Sequence, residues 1–133
     1  MAKGLLKHQE RQSALSMLGK DLARRAKSKC ELCEASGVPL SIYEVEPVPG
    51  EPDYDHCLML CETCKTQLEQ PKRLEPNHWR CLTKSIWSQI PAVQVVSLRL
   101  LRKLSERQDW AIEALEHAYL EPDIEQWADA EKI

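Results

Sequence analysis

Four of the six cysteines stand in two tight pairs, Cys30-Glu-Leu-Cys33 and Cys61-Glu-Thr-Cys64, separated by 27 residues. A C-x-x-C turn aims two sulfurs at one point. Two such turns can close a tetrahedral shell around a single ion. This spacing constrains the fold before any other residue is read. The backbone at both pairs must converge, and the segment between them must leave and return. Disulfides are the alternative for a cysteine-rich chain, but they belong to oxidising compartments. The first residues, MAKGLLKHQERQSA, are charged and lack the apolar stretch of a secretion signal. A cytoplasmic location is therefore expected, and zinc is favoured over disulfides or a redox dithiol. Cys30, Cys33, Cys61 and Cys64 are the expected ligands. Four thiolates form the common structural zinc shell, with no position left open for water. Cys57 and Cys81 are read as small buried apolar groups.

The pattern around the pairs is that of an α+β chain, a treble-clef-like zinc module with a short β-hairpin packed with several α-helices. Leu15, Leu18, Leu22 and Ala26 recur at three- and four-residue steps and predict a helix over 9–27 that delivers the chain to the first pair. Leu40, Ile42 and Val45 suggest a strand, broken by Pro47, Pro49 and Pro52. Residues 56–60 suggest a second strand, ending at Cys61. A helix over 63–68 then starts at the second pair, where its free N–H groups favour thiolates. Further on, Thr83 is expected to cap a helix bearing Ile86, Trp87 and Ile90. Residues 92–107 give a strong amphipathic pattern, with Arg99, Arg102 and Lys103 on the outer face. Asp109 is expected to cap the next helix, and Ile124 and Trp127 lie on a last short one. The chain thus divides into a basic N-terminal helix (1–29), a four-cysteine zinc module (30–82) and a C-terminal helical region (83–133), with 29–133 read as one compact unit. Phenylalanine is absent, so the four tryptophans are read as core groups. No apolar run approaches the roughly 20 residues that span a bilayer.

The net charge of −3 conceals an asymmetry: residues 1–29 carry eight Lys or Arg against two acidic residues. The basic arm suits a nucleic acid, although a solvated helix face is the simpler reading. His56 follows Asp55, and His78 sits in Asn77-His78-Trp79-Arg80. Both are weak candidates for catalysis. The simpler reading is a loop histidine at 56 and a structural one at 78.

Several longer blocks carry a family resemblance. Cys30-Glu-Leu-Cys33, Ser41-Ile42-Tyr43-Glu44-Val45, Leu60-Cys61-Glu62-Thr63-Cys64, Asn77-His78-Trp79-Arg80-Cys81-Leu82 and Trp87-Ser88-Gln89-Ile90-Pro91-Ala92-Val93-Gln94-Val95 resemble the N-terminal zinc-binding domain of proteobacterial PhnA-type proteins. The resemblance covers roughly residues 20–130. It implies zinc on the same four cysteines and no agreed catalytic residue. The family takes its name from an alkylphosphonate-utilisation operon. The order of knuckle, hairpin and second pair is also similar to metal-stabilised nucleases of the His-Asn-His type. The positions that carry histidines there read Glu44-Val45-Glu46-Pro47 and Lys65 here, so nuclease activity is not expected. The leading expectation is a small zinc protein with a structural ion and an interaction role, toward an unknown protein or nucleic acid. Homo-oligomerisation through the C-terminal helices is open. The alternatives are a metal-dependent hydrolase of phosphonate or phosphate esters and a nucleic-acid binder using the basic arm. Enzyme activity is left open, leaning against.

Overall fold

The computed structural model describes residues 2–133, with side chains from residue 6 onward. Helix α1 (Ala2–Ala26) leads to the first cysteine pair. Strands β1 (Leu40–Glu44) and β2 (Cys57–Cys61) form an antiparallel hairpin, and α2 (Glu62–Glu69) follows directly. The remaining helices are α3 (Leu82–Ser85), α4 (Pro91–Leu104), α5 (Asp109–His117) and α6 (Pro122–Asp129). The architecture is α+β, a short hairpin and several helices around a four-cysteine cluster.

The hairpin is apolar on both faces. Its register pairs Leu40 with Cys61, Ile42 with Met59 and Glu44 with Cys57. Side chains alternate along a strand, so Leu58 and Leu60 enter the main core while Cys57 and Met59 turn the other way. Helix α1 covers that second face with Leu15, Leu18 and Leu22. Its arginines fasten it there. Arg11 Nε donates to Glu44 Oε2 at 3.0 Å, and its Nη2 donates to the Pro49 carbonyl at 2.9 Å. Arg25 Nη2 meets Glu31 Oε1 at 2.8 Å and the Cys57 carbonyl at 2.6 Å.

The Arg25–Glu31 pair is nearly dry, with the two side chains 14% and 2% exposed. Glu31 Oε1 also accepts from the Met59 amide at 2.8 Å. Removing one member of a buried pair strands the other charge. Arg25→Ala is therefore expected to cost about 3–5 kcal/mol, read as a shift in the urea unfolding midpoint. A shift equivalent to a surface substitution would contradict this placement.

Helix α4 is the central helix rather than an amphipathic one at the surface. It packs against α3, α5, α6 and β2. Arg99, expected on a solvated face, is only 6% exposed. Helix α6 returns across that face and ends with carbonyls in need of donors. Arg99 Nε donates to the Ala128 carbonyl at 3.1 Å and Nη2 to that of Trp127 at 2.6 Å. Arg102 and Lys103 do face outward.

Other boundaries also differ from expectation. Helix α1 begins well before residue 9. Thr83 does not cap α3; its hydroxyl donates back to the Arg80 carbonyl at 2.8 Å. Asp109 lies one residue inside α5, with Gln108 at the cap position. Residues 78–81 form a 3-10 turn. Of the four tryptophans, Trp79 is fully buried, Trp110 and Trp127 pack at the core margin, and Trp87 is 55% exposed.

Candidate metal centre

The first pair sits on a tight knuckle between α1 and β1. Helix α1 stops at Lys27 and Ser28, both in the left-handed region (φ 56° and 60°), and the Ser28 amide closes back on the Ala23 carbonyl at 3.2 Å. The chain then folds on itself. The Cys30 amide donates to the Ala35 carbonyl at 3.0 Å, and the Glu34 amide to the Cys30 carbonyl at 2.9 Å. Gly37, at φ 68°, supplies a further turn that side chains rarely adopt. The second pair spans the end of β2 and the start of α2. Cys61 holds the cap position and Cys64 is the third helical residue. The hairpin register brings this helix start onto the knuckle.

The four sulfurs lie within 4.8 Å of one another. Cys30 and Cys64 Sγ are 3.7 Å apart, and Cys33 and Cys61 Sγ are 3.6 Å apart. A tetrahedral zinc with Zn–S bonds of about 2.3 Å requires sulfur pairs at about 3.8 Å. Both the donor set and its spacing fit that ion. Cys30, Cys61 and Cys64 are buried, while Cys33 is half-buried beside a cleft of about 540 Å³ that Cys81 and Trp87 also line.

The electrostatics of the cluster suit a cation. The contact with Cys64 holds Cys30 down, to about 4, and the amides of Cys33, Cys61 and Leu32 support the same anion. Burial pushes Cys33 up to about 12, with the Cys30 charge adding to it. Cys64 rises too, because its contact with Cys30 favours a shared proton, and burial adds to the effect. One thiolate thus forms readily and opposes its neighbours. A bound metal ion removes that opposition, since coordinating thiols are deprotonated outright.

Cys57 is not brought to the cluster. It shares strand parity with Cys61, but four residues along a strand is a separation of about 13 Å. It packs with Leu15 and Leu22. Burial raises its thiol to about 11. Iodoacetamide at neutral pH is therefore expected to leave Cys57 unmodified in the folded protein, as peptide mass mapping would show. Labelling at the rate of a free thiol would contradict its burial.

His56 lies beyond Cys57, at the end of β2 away from Cys61. Its ring sits 4.5 Å from that of Trp127, and its Nδ1 is 3.6 Å from a carboxylate oxygen of Asp53 rather than Asp55. His78 is brought to the cluster, with Nε2 3.2 Å from Cys64 Sγ. Gln67 was not singled out from the sequence. It is buried one turn after Cys64, and its Oε1 accepts from Trp79 Nε1 at 2.6 Å and from the Glu75 amide at 2.9 Å. Its position on the inner face of α2, three residues from a ligand candidate, was the available signal. Within the basic arm, Arg11 and Arg25 are tied to Glu44 and Glu31, while Lys20, Arg24, Lys27 and Lys29 are exposed.

The chain is thus a small α+β protein with a four-thiol cluster capable of coordinating a metal ion. No protein-family model, curated protein or solved structure matches it. Among the described residues, no helix is long and apolar enough to cross a membrane.

Proposed function

We propose that Cys30, Cys33, Cys61 and Cys64 bind one structural zinc ion, and that the protein works through interaction rather than catalysis. The observation carrying this reading is the meeting of four sulfurs at tetrahedral spacing, with three of the four residues buried. Four thiolates saturate the ion and leave no site for an activated water. In this reading residues 30–82 form a treble-clef-like module of the PhnA type, with 1–29 and 83–133 packed around it, in a cytoplasmic protein. Its partner is a protein or a nucleic acid, engaged through the surface away from the ion.

The discriminating experiment uses zinc-loaded protein and a chromogenic phosphate monoester. No turnover above background is expected. Turnover that disappears in a folded His56→Ala or His78→Phe variant would overturn the structural reading in favour of a hydrolase.

A further inference from the structure

The Asn77-His78-Trp79 segment has no part in closing the four-sulfur shell, yet its histidine reaches a sulfur. We propose that His78 is a positioning residue of the metal centre, whose Nε2–H donates to the Cys64 thiolate and sets the charge that sulfur presents to the ion. The inference rests on the zinc reading above.

Zinc with four thiolates carries a net charge of about −2. Buried excess charge requires hydrogen-bond donors. The amides of Cys33, Cys61 and Leu32 lower the Cys30 thiol, and that of Ala35 acts to lower the Cys33 thiol. Cys64 is fully buried, so water does not reach it, and the 3.2 Å contact from His78 supplies a donor. The imidazole is held for this task. It meets the Trp79 ring edge-on, with centroids 4.8 Å apart and planes at 78°. Trp79 is fully buried and bonded through Nε1 to Gln67 Oε1. Gln67 rides one turn after Cys64 on α2. The sulfur and the clamp that aims the imidazole therefore belong to the same helix, and movement of α2 carries both. Such outer partners commonly govern metal affinity as strongly as 10–100-fold.

The test compares wild type with His78→Phe, which keeps a ring against Trp79 but lacks the donor, and with His78→Gln, which restores an N–H. Each is loaded with cobalt(II), and the near-ultraviolet sulfur-to-cobalt charge-transfer band is recorded. Losing a donor raises the energy of the sulfur electrons. The band of His78→Phe should move to lower energy, with zinc held on the order of 10–100-fold more weakly in chelator competition. His78→Gln should return both toward wild type. Should the Phe variant not fold, His78→Leu is read in its place. A His78→Phe band superimposable on wild type would overturn the proposal while leaving the metal site intact. Wild-type protein that takes up neither cobalt nor zinc would overturn the metal reading itself, and this inference with it.

Discussion

Stripping the metal with a strong chelator is expected to abolish the cooperative unfolding transition of this protein, and Cys64→Ser is expected to do the same without chelator. The parts that meet at the cluster have little stability of their own. A two-stranded hairpin is marginal in water, and so is a helix of the eight residues in α2. Three non-glycine residues and one glycine in or beside the knuckle hold left-handed backbone, Lys27, Ser28, Glu34 and Gly37. Without an ion, the thiolates oppose one another and the buried Cys64 thiol is left to share a proton with Cys30. Structural zinc contributes about 10–16 kcal/mol at neutral pH, as large as the entire stability of an ordinary domain. The expected result is loss of the near-ultraviolet circular dichroism of the buried Trp79 and a broad, non-cooperative melt. Cys57→Ala provides the contrast. It should keep a full complement of metal and lose about 1 kcal/mol. A Cys64→Ser protein that melted like wild type would remove Cys64 from the load on the fold.

The second large effect is expected at Trp79. The residue is fully buried and belongs to the main core cluster, with Leu82, Ile86 and the buried residues of α4. Trp79→Ala should cost about 3–5 kcal/mol from lost burial and the cavity left behind. The indole N–H also shares Gln67 Oε1 with the Glu75 amide. Trp79→Phe isolates that bond. It should cost less, about 1–3 kcal/mol for the polar group left partly unpaired together with the smaller ring. Both are read as urea midpoints at unchanged slope. Equal effects for Ala and Phe would mean that the hydrogen bond, not the packing, dominates.

These two sites mark what was legible in the sequence and what was not. The cysteine pairs could be read because each pair is local and its spacing carries the geometry. The hairpin between them was legible for the same reason, through alternation and proline breaks. Arg99 was misread because periodicity reports one helix alone. The face it occupies is polar in the sequence and buried in the structure only because α6 returns across it. Trp87 was misread for the opposite reason: a large apolar residue need not find a neighbour, and α3 ends after one turn. His78 was noticed as part of an unusual cluster of polar groups around a tryptophan. Its contact with Cys64 joins residues 14 apart across a loop, and no local pattern encodes that.

The central claim is that four cysteines hold one zinc ion and that the fold depends on it. Native mass spectrometry of the purified protein, with thiols counted before and after chelation, tests it most directly. One zinc per chain is expected, with four thiols becoming reactive together only when the metal is withdrawn. A folded, metal-free protein in which Cys30, Cys33, Cys61 and Cys64 remain unligated after incubation with zinc would contradict it.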